Sequence, residues 1–335
     1  MQVVSASRRT DIPALYWRWF MKRLDAGYCH WINPFNAHQV FRVSLLPEDV
    51  AAIVFWTRNA APMLRHVEAL KERGFTFYVH YTINGYPEQL EHDSPAEGQA
   101  VAALRALSEA ISPERVIWRY DPIIISSITP EAYHVERFTA LAKRLRSVVS
   151  SVYFSFCDPY GRTQKHFVRL TREAGIAFEF GDSSTHSRLA RRLAEIAGSM
   201  GLELYSCAEP GLSVEGVKRG SCIDASLLAT LRPDLDFRLK PAPTREGCGC
   251  VQATDIGVFD TCLFGCEYCY ANQSVNAPRK RHREHDPTDS LLWRPPSLRG
   301  VDLDESAAVH DQAPARIRAR RPKDQLSMDL DADGF

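Results

Sequence analysis

Six short runs rich in Val, Ile, Phe and Tyr recur through the first 210 residues: QVVSAS, AAIVFWT, FTFYVHYTI, RVIWRY, SVYFSF and LELYS. Runs of this composition and length read as buried strands. Between them lie stretches with apolar positions at helical spacing, among them APMLRHVEALKERG with Gly74 as C-cap, PAEGQAVAALRALSEAI and THSRLARRLAEIAGSMG. Parallel strands need such crossovers, so the alternation predicts an α/β fold with a mostly parallel sheet. HQVFRVSL and IAFEF are weaker strand candidates, and the total suits a parallel (β/α) barrel or partial barrel of the TIM-like kind.

The strong runs end alike. Each passes from apolar residues into a polar cluster: Arg8, Arg9 and Asp11; Thr57, Arg58 and Asn59; His80, Tyr81 and Asn84; Arg119, Tyr120 and Asp121; Cys157 and Asp158; Cys207 and Glu209. In parallel α/β folds the active site lies at the C-terminal strand ends. One such polar end is an ordinary helix cap; six at one relative position predict a shared pocket.

The 335 residues carry 41 basic and 41 acidic side chains, a balance that offers no general attraction to nucleic acid or membrane. The start, MQVVSASRRTD, has no apolar core of signal-peptide length, and no apolar run reaches the roughly 18 residues of a membrane span. A cytoplasmic location is expected. Nine cysteines are then unlike a disulfide framework, because that compartment keeps thiols reduced. Cys29 and Cys157 stand alone. Cys207, Cys222, Cys248, Cys250, Cys262, Cys266 and Cys269 crowd the last two fifths of the chain, as metal ligands or redox thiols do.

The densest group is DTCLFGCEYCYANQ, with spacing C-x3-C-x2-C. Zinc wants four ligands, and Cys266 with Cys269 and Cys248 with Cys250 would supply two pairs. A redox pair at Cys266 and Cys269 gives Cys262 no role. Incidental buried thiols would not need this spacing. An iron–sulfur cluster held by three protein ligands accounts for all three cysteines. Cys207, Cys222, Cys248 and Cys250 remain for a second metal site, an auxiliary iron–sulfur cluster or zinc. Their alternative is a set of small buried hydrophobes.

C-x3-C-x2-C with an aromatic, Tyr268, before the third cysteine resembles the signature loop of the radical S-adenosylmethionine superfamily, and CEYCYAN is similar to the loop of its spore photoproduct lyase branch. SASRRTDIP, FWTRN, RYDPI, GSCID and the DIG…C…C..CYAN ending resemble an uncharacterised bacterial domain family with such a C-terminal cluster. The resemblance covers residues 1 to 275. It implies a permuted arrangement, with DIGVF as the strand beside VVSAS and the iron–sulfur loop on the last strand. Residues 1–240 would form the barrel body, 241–275 the cysteine-rich region completing it, and 276–335 an irregular, disordered tail.

The resemblance further implies a 4Fe–4S cluster on Cys262, Cys266 and Cys269. S-adenosyl-L-methionine would sit on the fourth iron, and its reductive cleavage would give a 5′-deoxyadenosyl radical that takes hydrogen from a substrate. It implies an electron donor such as flavodoxin or ferredoxin. No glycine-rich segment for the S-adenosylmethionine amino group is evident. Arg8, Arg9, Arg58 and Arg119 are candidates to clamp a carboxylate, with Asp11 and Asp121 as their ion-pair partners or as catalytic groups, and Tyr268 beside the cofactor. The alternative is a binding protein stabilised by zinc or iron–sulfur, with the basic run RKRHRE touching nucleic acid.

Overall fold

The computed structural model describes residues 1–36, 39–159, 161–274, 276–306, 309–311 and 317–319, the side chain of residue 162 apart. Eight strands form one sheet: β1 (Gln2–Ala6), β2 (Val50–Thr57), β3 (Phe77–Thr82), β4 (Val116–Arg119), β5 (Ser151–Phe154), β6 (Glu203–Ser206), β7 (Val217–Arg219) and β8 (Thr254–Asp255). Their spatial order is β7-β6-β5-β4-β3-β2-β1-β8, and every neighbouring pair is parallel. The last strand therefore lies beside the first, with Val4 opposite Thr254 and Ser5 opposite Asp255. The row has β7 and β8 as its two edges, and closure into a barrel is not part of the pairing among the described residues.

All six strong runs form strands of this sheet. HQVFRVSL yields a strand, Val40–Ser44, but it pairs with Tyr28–Ile32 and Val309–Asp311 in a separate three-stranded sheet. IAFEF contributes only Phe178–Glu179, antiparallel to Ile125–Ser126. APMLRHVEALKERG divides into two short helices, Ala61–Leu64 and Val67–Glu72.

Period-two alternation sends successive side chains to opposite faces of the sheet. On the outer face Val4, Ile53, Phe55, Phe77, Val79, Trp118 and Phe154 pack against helices. Those on this face include α1 (Trp17–Ala26), α2 (Glu97–Ile111), α3 (Glu131–Leu145) and, between β5 and β6, α5 (Ser183–Ser199); α4 (Gly161–Ala174) and α6 (Asn276–Arg283) lie outside this core cluster. Trp118 stacks on Phe138 of α3 at 5.0 Å between ring centres. On the inner face Val3, Ala52, Val54, Tyr78, Ile117 and Tyr153 meet Cys222, Ile223, Leu228, Leu235, Phe237 and Cys250. The chain between β7 and β8 thus crosses the inner face and covers it. Burial on both sides is why the strands read as near-continuous apolar runs.

Residues 276–306 differ from the expected irregular tail. Asn276–Arg283 is helical, Leu291 and Leu292 are buried, and Trp19 donates from Nε1 to the Asp289 carbonyl at 2.9 Å. Arg and Pro content concealed the helix, which has no apolar stripe and is held by side-chain-to-carbonyl bonds such as that of Arg281 to Phe259. Residues 320–335, also assigned to that tail, lie outside the described residues. Among the described residues no helix is long and apolar enough to cross a membrane.

Phe138 is fully buried between Trp118 and Tyr120. Phe138→Ala should cost about 3–5 kcal/mol through lost burial and a residual cavity. Urea denaturation checks this; a loss below about 1 kcal/mol would mean that the α3–sheet contact is not a principal part of the core.

Candidate functional site

The cysteine loop begins at Cys262, seven residues after the end of β8, and is closed at its base. Asp260 donates its N–H to the Ala271 carbonyl at 2.9 Å, and its carboxylate accepts from the Gln273 N–H. Asn272 donates to the Cys262 carbonyl at 2.8 Å, and Tyr16 to that of Thr261 at 2.6 Å. Helix α6 braces the base: Arg281 donates to the Phe259 carbonyl at 2.6 Å.

The residues between the second and third cysteines anchor the loop in two directions. Glu267, with its side chain 2% exposed, pairs with His92, His166 and Arg169. Tyr268 hydrogen-bonds Glu91 and Arg58, and accepts from Asn84 Nδ2 at 3.0 Å. Arg58 and Glu91 form a two-pronged ion pair, with Nη1 to Oε2 at 2.8 Å. Asn84 also joins both backbone groups of Asp121, so the loop is docked at the C-terminal ends of β2, β3 and β4.

Cys262, Cys266 and Cys269 each keep some exposure. Their surroundings are nevertheless dense enough that desolvation raises all three thiols, Cys266 to about 12. Cys262 also feels the charges of Cys269 and Cys266, which places the three within electrostatic reach of one another. Among the described residues no three His, Cys, Asp or Glu side chains already surround a point where one metal ion would sit.

The predicted arginines divide. Arg58 lies in the loop network, with its fork taken by Glu91. Asp11 lies beneath it, N-capping the short helix Ile12–Leu15 and accepting from the Arg58 N–H at 2.7 Å. Burial lifts the Asp11 carboxyl to about 7 despite those bonds. Arg8 lies over Trp56, 5.9 Å from its ring centre, with Asp255 3.9 Å away. Arg119 pairs with Asp121 at 2.5 Å and donates to Cys222 Sγ at 3.0 Å. Arg119 and Asp121 thus flank the second cysteine group. Tyr270 connects the two groups: it donates to the Arg8 carbonyl at 2.6 Å and feels the charges of both Cys269 and Cys222.

The four remaining clustered cysteines meet on the inner face. Cys207 and Cys222 sulfurs are 3.4 Å apart, and Cys250 packs in the same buried cluster with Cys248 against it. Hydrogen bonds from Cys207 and Cys250, aided by Arg119, hold the Cys222 thiol well below its ordinary range.

Sequence reasoning missed three acids. Asp255 accepts from Ser5 Oγ and Ser7 Oγ, each at 2.7 Å, from the Arg8 N–H at 2.9 Å and from the Gly257 N–H at 3.0 Å. A Cβ on Gly257 would stand 1.9 Å from Ser7 Oγ, so this approach requires glycine. The D and G of TDIG carried that signal. Glu267 was visible within the cysteine spacing. Glu91, in QLEHD, had no signal, because its partner is 33 residues away.

Burial would raise the Glu267 carboxyl, but hydrogen bonds from His166, Arg169 and His92 outweigh it and bring it to about 2. A depressed folded-state value contributes stability above the ordinary carboxylate range and loses it as pH falls from about 4.5 toward 2. Glu267→Gln should therefore melt lower than wild type at pH 7, with the gap closing over that acid window. Thermal melts across pH check this; a gap independent of pH would mean that charge is not what anchors the loop.

No curated protein matches the sequence. Among solved structures, a protein assigned as an alpha-L-fucosidase from Bacteroides thetaiotaomicron aligns with 9% identity over 72% of this chain and 83% of that one, at a TM-score of 0.27. Two structures of the pneumococcal enzyme StrH align with 12% identity at a TM-score of 0.25, covering 64% and 66% of this chain and 56% and 57% of those chains. One of these is described by its tandem GH20 catalytic modules of exo-beta-D-N-acetylglucosaminidase. Likenesses this distant carry no argument about activity. Residues 3–271 match the family model of a domain of unknown function, DUF1848, and the chain belongs to that family.

Proposed function

We propose that this chain is an enzyme of the radical S-adenosylmethionine class, with Cys262, Cys266 and Cys269 as the ligands of a 4Fe–4S cluster. The observation that carries the reading is the closed C-x3-C-x2-C loop docked at the strand ends. It follows a strand that pairs in parallel with β1 although the two lie some 250 residues apart, the neighbour that the resemblance implies for that strand. Three thiolates that each bind a different iron stand farther apart than three ligands of one ion, so the loop need not converge on a single point.

The donor set suits the group. Each thiol is held protonated by desolvation until a cation displaces the proton. Backbone N–H groups already face two of the sulfurs. Phe264 points at Cys262; Ala271, at 3.4 Å, and Asn272 point at Cys269. Such bonds stabilise the negative sulfur of a metal-bound thiolate. When bound, the cluster would supply the electron that breaks the sulfonium carbon–sulfur bond of S-adenosylmethionine.

The chain's own part is placement. Glu267 and Tyr268 fix the loop against two parts of the body, and the Arg58–Glu91 pair locks the Tyr268 hydroxyl. Arg58 is spent on Glu91 and Arg119 on Asp121. Arg8, whose side chain is 21% exposed and whose guanidinium stands 3.9 Å from the Asp255 carboxylate, is the better candidate to meet a substrate or cofactor carboxylate. Tyr270, 48% exposed and bonded to the Arg8 backbone, borders the same space.

Replacing Cys262, Cys266 and Cys269 together by Ala should abolish an oxygen-sensitive 4Fe–4S absorbance in anaerobically reconstituted protein. It should also abolish dithionite-dependent release of 5′-deoxyadenosine. Arg8→Ala should keep the absorbance and lower that release by at least about tenfold, the worth of one charge-assisted contact. Unchanged iron in the triple variant, or no 5′-deoxyadenosine from wild type carrying the cluster, would overturn the reading.

A further inference from the structure

We propose that Cys207, Cys222, Cys248 and Cys250 bind one zinc ion in a structural site on the inner face of the sheet, separate from the cysteine loop. The four thiols come from three places in the chain. Cys207 follows the end of β6, Cys222 follows β7, and Cys248 and Cys250 flank Gly249 in the segment that returns across the sheet. An antiparallel bridge between Pro241 and Val251 and the Ala242 N–H to Cys250 carbonyl bond at 2.8 Å hold that segment. A Cβ on Gly249 would lie 2.4 Å from Ser221 Oγ, which shows how closely the C-G-C segment approaches the chain at Ser221, next to Cys222.

The spacing favours one ion over a cluster. The Cys207 and Cys222 sulfurs are 3.4 Å apart, too far for a disulfide at about 2.05 Å. It is near the roughly 3.8 Å edge of a sulfur tetrahedron built with zinc–sulfur bonds of about 2.3 Å. The ligands of an iron–sulfur cluster bind different irons and would stand wider. Cys207, Cys222 and Cys250 share one buried cluster with Cys248 packed against it, and among the described residues no three of them yet surround a common centre. Closing a tetrahedron requires Cys248 to swing inward. Cys248 is the one of the four that keeps exposure, and it lines a cavity of about 280 Å³ with Ser206, Glu209, Arg219 and Ser221. That cavity supplies both room and an entry path.

The surroundings are built for thiolates. Arg119 donates to Cys222 at 3.0 Å, the Ile223 N–H to Cys250 at 3.4 Å, and Thr244 Oγ1 to Cys248 at 3.6 Å. Neutral thiol sulfur is a weak acceptor, whereas metal-bound thiolate is stabilised by such donors. Zinc would join the ends of β6 and β7 to the segment covering the inner face, a place where Cys207, Cys222 and Cys250 already pack with Ile223 and Tyr153.

The test uses full-length chain carrying Cys262→Ala, Cys266→Ala and Cys269→Ala, so that the loop contributes no metal. Purified under reducing conditions, it should hold about one zinc ion per chain. Cobalt(II) added to the chelator-stripped protein should give the strong sulfur-to-metal charge-transfer and visible bands of a tetrahedral four-thiolate site. Cys222→Ser and, at the exposed thiol, Cys248→Ser should each lose the zinc and weaken the cobalt bands. Absence of zinc and of cobalt bands, zinc retained in both serine variants, or an iron–sulfur spectrum in the loop-less background would each overturn the proposal. The zinc, cobalt and serine-variant outcomes leave the loop reading untouched; an iron–sulfur spectrum in the loop-less background counts against both, and absence of 5′-deoxyadenosine from cluster-loaded wild type counts against the loop alone.

Discussion

The carboxylate of Asp255 is the constraint on which the site depends. It sits on β8, near the end of the chain, and gathers Ser5, Ser7 and the Arg8 N–H from the end of β1. Hydrogen bonds to a carboxylate are charge-assisted and stronger than those between neutral groups. Asp255 also places β8 in register with β1, and register decides where the following loop emerges. The cysteine loop opens beside Arg8, Asp11 and Arg58 because this joint sets its origin. Gly257 allows the joint by leaving space for Ser7.

From that origin the loop is held by polar anchors rather than by an apolar stripe. The Arg58–Glu91 pair is buried, with side chains 11% and 5% exposed. Breaking one partner of such a pair leaves an uncompensated charge, so it specifies geometry more than it adds stability. Helix α6 and the following residues close the other side through Arg281 and Asp289. The segment past the loop is thus part of its scaffold.

Much of the framework was legible locally. The six apolar runs form six of the eight sheet strands, because a doubly covered strand must be apolar on both faces. The edge strand β7, Val217–Arg219, was not legible: it is three residues long, with two of them exposed. The cysteines were legible as two groups by spacing and position. Which arginine accompanies which group was not. Arg119 contacts Cys222 of the second group, Arg58 and Asp11 contact each other beside the loop, and Asp121 is linked to Tyr268 of the loop through Asn84. Glu91 was invisible, since a carboxylate in a polar segment has no local mark of burial.

By itself the sequence determined the parallel α/β class, the strand cores, the polar strand ends and the chemistry available in seven clustered thiols, because composition and periodicity act through neighbouring residues. The tertiary structure decided everything that rests on distant pairing. It put β8 beside β1, laid the β7–β8 connection across the inner face, brought Cys207, Cys222 and Cys250 together, and turned the C-terminal segment into a brace. Those outcomes depend on strand order and on buried polar contacts made across some 15 to 270 residues. Such contacts gain their strength from an environment that exists only once the chain has closed around them.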